Sequence, residues 1–234
     1  MSFTPAMPRL LLLLGLTSGV AVAADPTAKL KLVFSDEFDA PALDAAKWTM
    51  EGGAQALSFK GGKLVLSLVE RPDGWQGTGL STREKFSQAY GYFEASIRFN
   101  AQRGHHGAFV LRNKATSEPP SAMLLFECFG EDKLIPWAKL GDSKGVRELR
   151  PVKTDLVLKP GQPSKGFNTY GFLWTEKAYT WYFNGKAVHK LDKPEVKEPM
   201  YISLGHWVSD FERKDLQPSK LPDDMEVDWV KVWK

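Results

Sequence analysis

Ser121-Ala122-Met123-Leu124-Leu125-Phe126-Glu127-Cys128-Phe129-Gly130 is an apolar run that carries one carboxylate and is bounded by Pro119-Pro120 and Gly130. The run is short for a helix and has turn residues at both ends, so it is expected to form a central β-strand. Its lone Glu127 is costly. An ionised carboxylate among Met, Leu and Phe must be paired, be protonated, or face a cleft that water or a ligand reaches. Taken alone, the strand favours the plain outcome, a Lys or Arg partner on a neighbouring strand; the flanking sequence favours a cleft.

Outward from this strand, the chain reads as many short strands. Leu30 to Phe38 suggests an edge strand entering a turn-rich loop, and Ala56-Leu57-Ser58-Phe59 and Lys63 to Val69 flank Gly61-Gly62 as paired strands would. From Tyr92 to Phe99 the residues alternate: Tyr92, Glu94, Ser96 and Arg98 on one face, Phe93, Ala95, Ile97 and Phe99 on the other. The first face is expected to be polar and open. Further strands are expected at Ala108 to Leu111, Tyr170 to Trp174, Met200 to Leu204 and Met225 to Trp233. Another runs from Ala178 to Phe183, and Asn184-Gly185 joins it to Lys186-Ala187-Val188 in a two-residue hairpin. Glu131 to Lys165 reads as a long, locally basic loop. With eight Trp, 14 Phe and almost no helical periodicity, the pattern points to an all-β sandwich or jelly roll. A concave sheet lined with aromatics would suit an extended sugar chain, because flat sugar faces stack on Trp and Tyr.

Residues 1–24 read as a secretory signal: Arg9, an apolar run from Leu10 to Leu16, then small residues up to Ala23 and Ala24, where cleavage is expected. The apolar run is too short to span a membrane, so the expected product is a secreted or periplasmic protein of one domain, residues 25–234. It holds 30 basic and 28 acidic residues, a balance that does not point to nucleic acid. The single cysteine, Cys128, excludes an internal disulfide and reads as a small buried hydrophobe.

Four segments in order resemble glycoside hydrolase family 16, the laminarinase, lichenase and agarase group with a concanavalin A-like jelly roll and a concave sugar-binding sheet. They are Phe34-Ser35-Asp36-Glu37-Phe38 with Leu43-Asp44 and Lys47-Trp48; Tyr90-Gly91-Tyr92-Phe93-Glu94-Ala95; Phe167 to Gly185; and Pro199-Met200 with Val227 to Trp233. The resemblance implies a retaining glycosidase whose motif is Glu-x-Asp-x-Glu, or Glu-x-Asp-x-x-Glu with a bulge, holding two carboxylates roughly 5 Å apart. Glu127 fits the last Glu, the acid/base. The nucleophile and Asp positions are Met123 and Leu125 in the regular register, or Ala122 and Leu124 in the bulged one. Neither pair holds a carboxylate, and a thioether or alkyl group cannot attack an anomeric carbon. The family's Trp-Pro-Ala-Phe-Trp is replaced by His106-Gly107-Ala108-Phe109-Val110, and its usual Arg two residues after the Glu of the Tyr-Gly strand is Ser96. What the resemblance leaves for a cleft is Glu127 with Glu94, Tyr92, His106 and Trp207.

Three functions follow as expectations. The first is a monomeric binder of a β-linked polysaccharide, of β-glucan or galactan type, with impaired or lost hydrolysis. The second is an active endo-hydrolase with Glu127 as acid and Glu94, Glu131 or Asp132 as the relocated partner. The third is a non-catalytic adhesion or structural module. No cofactor is required, although the resemblance makes Asp228, with oxygens near Glu37 and Gly62, a candidate for a structural calcium. His105 and His106 read as loop residues and not as metal ligands. Basic residues such as Arg112, Lys114 and Arg150 would favour sulfated or uronic polymers.

Overall fold

The computed structural model describes residues 25–113, 121–130, 133–142, 145–149, 156–159 and 161–234. The expected leader, together with Lys114, Glu131, Asp132 and Arg150, lies outside them. The strands are β1 (Leu32–Asp36), β2 (Thr49–Gly52), β3 (Leu57–Phe59), β4 (Leu64–Leu66), β5 (Val69–Arg71), β6 (Gly74–Gln76), β7 (Thr78–Ser81) and β8 (Gly91–Arg98). They continue as β9 (His105–Asn113), β10 (Ser121–Cys128), β11 (Leu134–Asp142), β12 (Gly145–Leu149), β13 (Asn168–Trp174), β14 (Ala178–Phe183), β15 (Lys186–Asp192), β16 (Met200–Val208) and β17 (Met225–Trp233).

Two antiparallel sheets face each other in the all-β jelly roll that the alternation suggests. One runs β15-β14-β13-β8-β17-β4-β3, with β1 also on β17; the other runs β12-β11-β10-β9-β16-β7-β2. Phe93, Ala95, Ile97 and Phe99 of the first sheet and Ala122, Leu124, Phe126 and Cys128 of the second bury into the shared core. Across it, the Trp181 indole N–H donates to the Leu125 carbonyl at 3.1 Å. At the β14–β15 hairpin, Asn184 (φ 48°) and Gly185 (φ 73°) both adopt the positive φ that a tight two-residue turn demands.

The pairing of β10 is unbroken with both β9 and β11, from Met123↔Arg112 to Cys128↔Gly107 on one side and from Ser121↔Gly141 to Cys128↔Leu134 on the other. Because side chains alternate, Met123, Leu125 and Glu127 all point to the outer face of the sheet.

Two expectations need correcting. The segment expected as a loop from Glu131 to Lys165 contains β11 and β12, which extend the sheet past the central strand. Its alternation is real: Leu134, Ala138 and Leu140 pack in the main core while Ile135 and Trp137 face outward, but Pro136 in mid-strand hides it. The face of β8 expected to be open is largely closed, with Tyr92 and Ser96 buried.

Phe126 is fully buried against Tyr170 and Phe172, with ring centroids 5.3 Å from each. Phe126→Ala should cost about 3–5 kcal/mol of folding stability in urea titration, and Met123→Ala, on the opposite face and only half-buried, clearly less.

Candidate functional site

The outer face of the seven-stranded sheet carries the chemistry. Glu127 is buried, yet both its oxygens are engaged: Oε1 lies 2.9 Å from His106 Nε2, and Oε2 accepts the Trp137 indole N–H. Each partner comes from a neighbouring strand, His106 from β9 and Trp137 from β11. To donate to the carboxylate, His106 must carry a proton on Nε2. Its ring also stacks on Phe129, with centroids 4.9 Å apart and planes 5° from parallel. Next to the carboxylate, Ala108, Val110, Leu125 and Trp137 form a second apolar cluster, and Met123 and Ile135 pack on it.

Trp207 pairs with His106 across β16 and β9, which puts it on the same face of the sheet as Glu127, with β9 between their strands. Its indole lies along the sheet because three adjacent strands present glycine there. A Cβ would come within 3.1 Å of the ring from Gly79 on β7, within 2.8 Å from Gly52 on β2, and still closer from Gly205 on β16. The glycine track is thus a bed for the indole, whose residue is part-exposed.

Beyond Phe129, a hollow of about 230 Å³ is lined by Phe129, Lys133, Phe211 and Glu212. Phe211 is 83% exposed. Burial raises the Glu212 carboxyl, but Lys133 at 2.6 Å and Arg103 at 3.1 Å outweigh it and hold the group below the usual carboxylate range. At the opposite end of the same sheet face, Glu51, Arg83, Arg112, Tyr201 and Ser203 form a polar cluster.

The expected grouping of Glu94 and Tyr92 with Glu127 is corrected. Both lie on β8, in the other sheet, and on the side turned away from the core. The sheets of a sandwich stand about 10 Å apart, with the core between them, so Glu94 cannot share a groove with Glu127. Its carboxyl accepts the Tyr92 hydroxyl at 2.8 Å, and burial pushes its pKa up against that hydrogen bond.

His105 and His106, expected on a loop, open β9 and face opposite sides of it. His105 Nδ1 is 3.1 Å from His206 Nε2, and His206 Nδ1 donates to the Leu66 carbonyl at 2.8 Å. Burial drives His206 down to about 3 and also lowers His105, so this pair is neutral. Among the described residues no three His, Cys, Asp or Glu side chains are grouped at metal spacing. Asp228 is 3.8 Å from Lys63 Nζ, the same ammonium donates to the Gly61 carbonyl at 3.1 Å, and Glu37 pairs with Lys231 at 3.0 Å.

A profile of the glycosyl hydrolases family 16 matches residues 43–231. The chain belongs to glycoside hydrolase family 16. Among curated relatives, the endo-1,3-1,4-β-glycanase ExsH of Rhizobium meliloti is 30% identical over 156 residues, 66% of this chain and 32% of its own length. The endo-1,3-1,4-β-glycanase EglC of the same organism is 24% identical over 194 residues, 82% of this chain and 41% of its own. The chain therefore spans well under half the length of these relatives. Among solved structures, the laminarinase from Flavobacterium sp. UMI-01 superimposes with a TM-score of 0.72 at 19% identity, covering 87% of this chain and 100% of that one. SCLam, a non-specific endo-β-1,3(4)-glucanase, gives 0.73 at 19% identity, covering 90% and 93%. At that identity the likeness is one of fold.

Against the family motif, the unbroken register of β10 leaves one alignment on the face of Glu127, that of Met123 and Leu125. Ala122 and Leu124 are core residues. Sequence reasoning missed Trp137, Phe129 and Phe211. Trp137 sits in an alternation that Pro136 obscures, and Phe211 follows Ser209-Asp210 in a loop with no periodicity to mark it.

Unfolded His206 takes up a proton near 6.5, folded His206 only at about 3. Between those values the unfolded state binds more protons, so stability should fall as pH drops below about 6.5, by up to about 1.4 kcal/mol per pH unit from this group. Urea titrations between pH 7.5 and 5 measure that slope, and His206→Gln should flatten it.

Proposed function

We propose that this family 16 protein is exported by a leader over residues 1–24. As a monomeric domain over 25–234 it binds a β-linked polysaccharide of β-glucan type, with hydrolysis lost or strongly impaired. One observation carries the reading: Met123 and Leu125 occupy the two outward positions of β10 that precede Glu127, where the family motif places its nucleophile and assisting Asp. Retaining hydrolysis needs carboxyl groups roughly 5 Å apart and inverting hydrolysis roughly 6.5–9.5 Å. Beside Glu127 stands instead the apolar cluster of Leu125, Val110 and Trp137, with the Met123 thioether packed on it. Glu94, one candidate for a relocated partner, belongs to the other sheet, and Glu131 and Asp132 lie outside the described residues.

Trp207 supports retention of sugar recognition: an indole bedded on glycine offers a flat face to a sugar ring without the entropy cost of a mobile side chain. The glucan-directed names of the relatives favour β-glucan among the β-linked polymers. His106 with Glu127 then serves as a hydrogen-bonding pair for sugar hydroxyls. No cofactor takes part in this reading. The residues proposed for calcium fit it poorly: the Lys63 ammonium stands between Asp228 and the Gly61 carbonyl, where a cation would collect oxygens, and calcium prefers six to eight of them.

Native affinity electrophoresis and reducing-end assays on laminarin, lichenan, agarose, carrageenan and xyloglucan test the reading together. The expected result is retention by laminarin or lichenan, weakened about tenfold or more by Trp207→Ala, with no new reducing ends. Release of reducing ends that Glu127→Gln abolishes would overturn the loss of catalysis, and retention by none of the polymers would overturn the sugar reading itself.

A further inference from the structure

The polar cluster at the Met123 end of the sheet face gathers two guanidiniums around one aromatic ring. Arg112 on β9 pairs with Met123 on one side and Tyr201 on the other, so its guanidinium lies on the same outer face as Glu127. Arg83, just after β7, reaches the same place. Both guanidiniums stand over the Tyr201 ring, 5.3 Å from its centroid for Arg83 and 5.8 Å for Arg112.

Among the described residues one carboxylate, Glu51, stands within ion-pair distance of both cations, while Glu84 acts on Arg83 electrostatically from farther away. Glu51 lies 3.8 Å from Arg83 Nη2 and 3.9 Å from Arg112 Nη2, beyond hydrogen-bond distance in both cases, and accepts the Ser203 hydroxyl at 3.3 Å. A guanidinium carries five N–H donors in a rigid fork. Arg112 spends one on Ser203 Oγ at 2.9 Å, and its Nε is buried with no hydrogen-bond partner among the described residues. Arg83 spends one on the Tyr201 hydroxyl at 3.0 Å. A half-buried guanidinium with unspent donors is costly unless an acceptor completes it, and its planar fork suits an oxyanion.

We infer that this cluster is a subsite for an acidic substituent on the bound polysaccharide, with Arg112 and Arg83 as the anion-binding pair and Tyr201 and Glu51 holding them in place. The inference rests on the sugar-binding reading above and adds to it the charge of the ligand. A carboxylate and a sulfate ester share the required chemistry, an oxyanion with two acceptor oxygens for one guanidinium edge.

The test compares three β-1,3-glucans of matched length: neutral, carboxymethylated and sulfated. The purified protein is titrated with each at low ionic strength and in about 0.5 M NaCl, where surface attraction is screened. At least one acidic polymer should bind about tenfold tighter than the neutral one at low salt, and whichever is preferred names the substituent. Arg112→Gln and Arg83→Gln should each cut that acid-to-neutral ratio several-fold. Lys177→Gln, which removes the same charge from the β13–β14 turn of the other sheet, should leave the ratio unchanged. Equal affinity for all three polymers, or an equal fall of the ratio in Lys177→Gln, would overturn the subsite while leaving the sugar-binding reading intact. Binding to none of the polymers would overturn both. Arg83 is about half-exposed, so its variant keeps the test valid if Arg112→Gln fails to fold.

Discussion

The two unbroken hydrogen-bond ladders of β10 set the parity on which the rest of the site depends. With β9 and β11 both in continuous register, every second side chain from Ala122 to Cys128 is committed to the core and every other one to the outer face. A slip of one residue would bury Glu127 among phenylalanines and turn Phe126 outward, an outcome that the cost of a buried charge forbids. Glu127 thus acts as a register mark as well as a polar group on the sheet face.

Its satisfaction explains why a carboxylate survives in so apolar a setting. The two oxygens are met by one imidazole and one indole, and each donor belongs to a side chain that also packs, His106 on Phe129 and Trp137 in the cluster with Leu125 and Val110. Such a residue can be held without a lysine or arginine, because hydrogen bonds to the charged form offset part of its desolvation.

Elsewhere on the face, small residues and cations do complementary work. Gly52, Gly79 and Gly205 let an indole lie along three strands, which a Cβ at any of them would prevent or strain. Tyr201 gathers two guanidiniums at the other end by its ring and hydroxyl. Between the two ends runs an apolar strip where the motif of the family calls for acid. The sheet face thus holds its bedded indole and its two guanidiniums in separate places, with the apolar cluster beside Glu127 between them.

The sequence by itself determined the class of fold, the central strand, the Asn184-Gly185 hairpin and the absence of carboxylates between Glu118 and Glu127, because period-two alternation and turn chemistry are local and chemical identity needs no coordinates. It could also place Trp207 in the last third of a family-like pattern. Only the tertiary structure decided that Glu94 and Tyr92 face away from Glu127, since strand parity tells that a face is polar but not to which sheet the strand belongs. Likewise, the glycine bed and the Arg83–Arg112 pair each join residues from strands far apart in the chain, while Trp137 meets Glu127 only because β11 folds back on β10. Such meetings are fixed by sheet order, which is long-range pairing that no local pattern encodes.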